Sequence, residues 1–175
     1  LLGLVRDGTG RIVMVSSSAS IKQAPAEGIM FDNLDGRRFY EPSVFYGQSK
    51  LANALFAKEL ARRLGARGIT VNSLHTVATR GTGLNKHASR PLKIALSAAR
   101  LFMKPAPQGA ATQALLAANP SVSGITGEFW SNCQIAKGNP LLDDAALARR
   151  LWDVSDSIVA RRDGASAGKT LRAAA

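Results

Sequence analysis

The sequence predicts an α/β domain built on a parallel sheet. Three consecutive features predict it: a short apolar, mostly β-branched run at 12–15, a helical periodicity over 44–64, and a second strand-like run at 69–74. Strand, helix, strand is a βαβ unit, whose strands lie parallel with a right-handed crossover. The 175 residues suit one domain, and 46% hydrophobic against 20% charged residues argues against wholesale disorder.

The elements follow in order. Gly10-Arg11 leads into Ile12-Val13-Met14-Val15, continuous enough to be buried on both faces, and Ser16, Ser17 and Ser18 follow directly. Residues 20–42 read as an irregular connection with Pro25, Gly28, Gly36 and Pro42. Over 44–64, Leu51, Leu55, Phe56, Leu60 and Leu64 make one apolar face. Ser43 is the expected N-cap, and Lys58, Arg62 and Arg63 complement the helix dipole near Gly65 and Gly68. Ile69 to Leu74 is the second strand, 107–118 an Ala-rich helix closed by Asn119-Pro120, and 124–132 a third strand. Asp143 or Asp144 caps a last helix whose face is Leu147, Leu151, Val154 and Ile158. From Arg161 the composition turns to Gly, Ser, Ala and cations, so the expected division is a folded domain at 1–160 and a disordered tail at 161–175.

Charge is unevenly distributed. The net charge is +11, and the segment Leu60–Gly127 has no Asp or Glu but nine of the 23 cations. Such a region suits an anionic partner, a phosphate-bearing cofactor or a lipid surface among them, or is simply a basic surface. Nucleic acid is not expected, because aromatics are only 6% and no base-stacking motif is present. The lone Cys133 permits a reducing compartment and reads as a buried apolar residue. Trp130 and Trp152 read as core or interface residues. His75 and His87, without clustered carboxylates or thiols, make no metal site. Arg6 ends the short apolar opening, so no signal peptide is read there, and the longest uncharged run is broken by Gly and Pro. The expected location is cytoplasmic, with membrane association an option through 90–104. The first residue is Leu, so the chain is expected to begin downstream of its gene's start.

Tyr46 and Lys50 lie four apart on the predicted helix, hence on one face and one turn apart. In open α/β sheets ligands bind outside the carboxyl ends of strands, where the serine cluster also sits. A free phenol titrates near pH ~10, and a nearby ammonium favours the phenolate. A phenol so placed is a usable general acid or base, a serine hydroxyl can hold a substrate oxygen, and the matching reaction is hydride exchange with a nicotinamide. By spacing alone most such pairs are merely a solvated helix face.

The surrounding residues say more. Gly10-Arg11-Ile12-Val13-Met14-Val15-Ser16-Ser17, Tyr46-Gly47-Gln48-Ser49-Lys50-Leu51-Ala52-Asn53 and Val71-Asn72-Ser73-Leu74-His75 resemble successive motifs of the short-chain dehydrogenase/reductase family. Gln108-Gly109-Ala110-Ala111, Gly127-Glu128-Phe129-Trp130-Ser131-Asn132-Cys133 and Leu147-Ala148-Arg149-Arg150-Leu151-Trp152-Asp153-Val154-Ser155 extend the resemblance toward its retinol dehydrogenase-like branch, from about residue 8 to 160. The resemblance implies the C-terminal part of a doubly wound, Rossmann-like parallel sheet with flanking helices. It implies that Tyr46 donates or accepts the proton, that Lys50 assists the phenol and hydrogen-bonds the nicotinamide ribose, and that Ser17 holds the substrate oxygen, with Ser18 the runner-up. Ser16 is expected on the opposite face by strand alternation. The cofactor so implied is NADP or NAD, and the substrate an alcohol or carbonyl. The alternative function is a catalytically silent remnant or an interaction protein.

The sequence departs from the family in places. Met14 stands where the family has Asn. After His75 the family continues Pro-Gly, whereas here the run is Thr76-Val77-Ala78-Thr79-Arg80-Gly81-Thr82. Thr82 best matches the cofactor-contacting Thr, with Thr79 the alternative. No glycine-rich turn joins a strand to a helix near Leu1, so by the resemblance the chain corresponds to a C-terminal half lacking the main cofactor cradle. On a helical wheel of 90–104, Arg90, Lys93, Arg100 and Lys104 fall within an arc of about 80°. By the resemblance this stretch is a substrate lid, which suits a lipophilic substrate, and its basic amphipathic face also suits a membrane surface. The sequence leaves the oligomeric state open.

Overall fold

Ile12, Val13 and Val15 carry an extended chain through β1 (Arg11–Ser16), and Thr70 and Val71 open β2 (Thr70–His75). The computed structural model describes residues 2–76, 79 and 104–173. Between the strands lie a short helix α1 (Ala19–Lys22), a 3-10 turn at Phe31–Asn33, and the long helix α2 (Pro42–Leu64). After β2 the described chain continues with α3 (Ala106–Ala118), β3 (Phe129–Ser131), β4 (Gln134–Ile135) and α4 (Ala145–Ala173).

The sheet order is β1-β2-β3-β4, with β1, β2 and β3 parallel and β4 antiparallel to β3. Register pairs Arg11 with Thr70 and Ser16 with His75, and then His75 with Ser131. Ser16, His75 and Ser131 therefore form one row at the carboxyl end of the parallel strands. This is the α/β fold with helices on both faces that the sequence predicted.

Alternation along the strands sorts the core. Ile12, Met14 and Val71 face α2 and pack with Ala57, Leu60 and Leu64, while Leu51, Leu55 and Phe129 meet Ala148 and Leu151 of α4. Val13, Leu74 and Trp130 face the other way, onto Leu115 and Leu116 of α3. Asn72, buried between strands, accepts from Glu128 N and Trp130 Nε1 and donates to the Ile125 carbonyl, which fixes the approach to β3.

Several local expectations are corrected. The N-cap of α2 is Glu41, not Ser43: its carboxylate accepts from Val44 N at 2.7 Å and from the Ser43 hydroxyl at 2.6 Å, with Pro42 in the first turn. Those bonds, the Ser43 hydroxyl first, hold the Glu41 carboxyl below its ordinary range. The third strand is only Phe129–Ser131, because Gly127 at φ 77° turns the backbone just before it. Cys133 is exposed rather than buried. It follows Asn132 in a two-residue hairpin turn with φ of 52° and 62°, and the tight turn joining β3 to β4 holds both residues at the surface. Ile158 is 39% exposed and leaves the core that Leu151 enters. α4 continues past Arg161 to Ala173.

Candidate active site

The carboxyl ends of β1 and β2 meet the first half of α2, and two hydrogen bonds fasten the corner. The buried Ser16 donates its hydroxyl to the Lys50 carbonyl at 2.6 Å, and Asn53 Nδ2 donates to the Val15 carbonyl at 2.9 Å. Both tie the last residues of β1 to the part of α2 that carries Tyr46 and Lys50. Ser16 points toward α2.

Tyr46 is 45% exposed, and Lys50 Nζ stands 5.6 Å from the centroid of its ring. The pair is thus side by side and open to a ligand. Gly47 lies between them. A Cβ there would fall on the backbone of Gln23 and Ala24, so glycine lets the chain after α1 lie directly on α2 beside the pair. Gln48, buried, accepts from Met30 N at 2.8 Å and steadies the same loop.

Ser17 and Ser18 form the turn from β1 into α1. Ser17 Oγ accepts from Ala19 N at 3.2 Å, and its carbonyl accepts from the Ser20 amide and hydroxyl. The hydroxyl proton of Ser17 is given to no described group, which leaves it as a donor for a ligand oxygen. Ser18 N donates to His75 Nδ1 at 3.0 Å. Burial, and secondarily the charge of Lys22, hold the His75 imidazole below its ordinary pKa.

Thr82 lies outside the described residues, as do residues 90–103 of the expected basic helix. Thr79, the alternative, makes a parallel bridge with Lys104, and its side chain lies against Gly109 of α3. Lys104 Nζ donates to Asn132 Oδ1 at 2.7 Å. Sequence reasoning missed three residues of the corner: Ser16 as an anchor, Asn53, and His75 as a partner of the serine turn. For Asn53 the available signal was its place three residues after Lys50, on the same side of the helix. His75 carried none, since a lone histidine at a strand end reads as a packing residue.

What the corner can do is exchange a proton at Tyr46, hold an oxygen at Ser17 and present a cation at Lys50. No protein-family model matches the chain. Over 163 residues it is 39% identical to "Retinol dehydrogenase 14" of Homo sapiens, a match covering 91% of this chain and 47% of that protein. Over 152 residues it is 37% identical to "Short-chain dehydrogenase TIC 32 B, chloroplastic" of Brassica napus, covering 86% of this chain and 47% of that protein. The chain therefore spans about half the length of the curated relatives it matches. Among solved structures it is similar to the angucycline C-6 ketoreductase LanV with bound NADP, at 30% identity and TM-score 0.52 over 75% of this chain and 44% of that one. It is also similar to an uncharacterized protein from Mycobacterium Paratuberculosis, at 27% identity and TM-score 0.57 over 90% of this chain and 52% of that one.

Proposed function

The chain belongs to the short-chain dehydrogenase/reductase family, on its retinol dehydrogenase-like side, and from that premise we propose that it is an NAD(P)-dependent oxidoreductase interconverting an alcohol and a carbonyl. The observation that supports the reading is the corner fastened by Ser16 and Asn53, which ties the end of β1, just ahead of Ser17, to the stretch of α2 that carries Tyr46 and Lys50.

The side chains present fit the nicotinamide end of the cofactor: an ammonium with three donors stands beside a half-exposed phenol at the ligand-binding end of the sheet. A glycine-rich pyrophosphate cradle has no counterpart among the described residues. When bound, the cofactor supplies or accepts the hydride. Ser17 Oγ–H holds the substrate oxygen. Tyr46 gives that oxygen a proton in reduction and takes it back in oxidation. Lys50 balances the charge left on the phenolate and hydrogen-bonds the ribose. Thr82, with Thr79 the alternative, is proposed to meet the nicotinamide amide.

A lipophilic substrate is supported by Phe39 and Tyr40, exposed just ahead of α2, with Tyr40 against Phe45 at 5.0 Å between ring centres. Placement in the cytoplasm, with 90–104 resting on a membrane surface, completes the reading. No helix among the described residues is long and apolar enough to cross a membrane. The test is a fluorescence titration of the chain with NADPH. Saturable binding that Lys50→Ala weakens about tenfold is expected, the loss of one charge-assisted hydrogen bond. Absence of saturable binding, or equal binding by the variant, contradicts the reading and favours the silent remnant.

A further inference from the structure

We infer that His75 is a positioning residue for the candidate serine: its neutral imidazole, through Nδ1, holds the turn that presents Ser17. The inference rests on the proposed role of Ser17, but its geometry stands without it.

Three consecutive serines at a strand end can adopt several turn arrangements, since each hydroxyl competes for nearby backbone groups. One arrangement is selected here. Ser18 N donates to His75 Nδ1 at 3.0 Å, one residue on from Ser17, whose Oγ in turn accepts from Ala19 N at 3.2 Å. The first bond comes from a neighbouring strand, 57 residues away in sequence, whereas the others in the turn are local. His75 is thus the external reference against which the turn is set. Its own place is fixed by the sheet, between Ser16 of β1 and Ser131 of β3 in register.

An Nδ1 that accepts carries no proton, so the proton of the neutral ring sits on Nε2. Protonating the ring puts a proton on Nδ1 and replaces acceptance by donor–donor repulsion at Ser18 N. The surroundings favour the neutral ring. Its strand neighbours Ser16 and Ser131 carry no charge, and Lys22 of α1 is the cation whose field reaches it. Among the described residues, Tyr46 and Lys50 of α2 and Lys104, whose Nζ donates to Asn132 just after β3, are further titratable groups toward this end of the sheet. Burial and Lys22 both disfavour the imidazolium. The turn therefore stays set at neutral pH and is released on acidification below the ordinary histidine range, near ~6.5.

The experiment is a ¹H–¹⁵N titration of the 175-residue chain, reading the Ser18 and Ala19 amides together with the His75 ring nitrogens. The expected result is an Nε2-protonated ring at neutral pH, with both amides shifting in step with the ring as it titrates. His75→Leu moves both amides at all pH values. His75→Asn, whose Oδ1 can stand in for Nδ1, restores their positions and abolishes the pH step. Amides indifferent to the ring's titration, or an Ala19 amide unmoved when the Ser18 bond is lost, overturn the inference. Because the readout is not turnover, failure of the hydride-transfer reading is distinguishable: the coupling between His75 and the two amides then persists while Ser17→Ala leaves carbonyl reduction unchanged.

Discussion

Ser16 shows how one buried hydroxyl can set a site without touching a ligand. It crosses from β1 to the Lys50 carbonyl at 2.6 Å, in a position 1% exposed. A buried hydrogen bond of this kind contributes on the order of 1 kcal/mol, and Ser16→Ala is expected to lower the unfolding free energy by about that much. Urea denaturation followed by circular dichroism checks it, and an unchanged midpoint would show that α2 is held elsewhere. The Tyr46–Lys50 pair was legible in the sequence because helical periodicity fixes which side chains share a face. Ser16 and His75 were not, because their partners lie 34 and 57 residues away and no local pattern encodes them. Cys133 was misread for a related reason: cysteine is usually buried, but here a hairpin turn with two positive φ angles decides its exposure.

At the scale of elements, α2 is the hinge of the account, since it packs on β1 and β2 and against α4. Its C-terminal half carries Glu59, 2% exposed, which accepts from Arg62 at 2.7 and 2.9 Å and from Arg63 at 2.7 Å. Arg63 also stacks on Trp152 of α4 at 4.3 Å, and Trp152 in turn lies on Phe56 at 4.6 Å. The two arginines, Arg62 foremost, lower the Glu59 pKa from 4.5 to about 2. The folded value is below the unfolded one, so the unfolded state binds more protons between them. The stabilisation is present above pH about 4.5 and is lost as the pH falls toward about 2. Glu59→Gln should cost on the order of 1–2 kcal/mol at pH 7 and flatten stability across that acid window. Denaturation midpoints at neutral pH and at the acid end of the window decide it, and an equally steep acid loss in the variant would contradict it. The strand–helix–strand core was legible from apolar periodicity alone. The cap at Glu41 was not, because serine is the commoner capping residue and sits two positions on. The β3–β4 hairpin was hidden by its brevity and by a turn without glycine.

For the whole molecule, the net charge of +11 takes on structure. Among the described residues, three cations of the acid-free segment are ion-paired within the fold: Arg62 and Arg63 with Glu59, and Arg67 with Asp7 at 2.7 Å. They serve the packing of α2 and of the approach to β2. Among the described residues β1 is an outer strand of the sheet, with Val15 42% exposed. The central claim is that Tyr46 moves the proton in a nicotinamide-dependent reaction. Its most direct test compares NADPH-dependent carbonyl reduction by the chain and by Tyr46→Phe, a change that removes one hydroxyl and keeps the ring. Measurable turnover is expected, falling at least ~100-fold in the variant while NADPH binding persists. Equal turnover by the two proteins, or none by either, would contradict it.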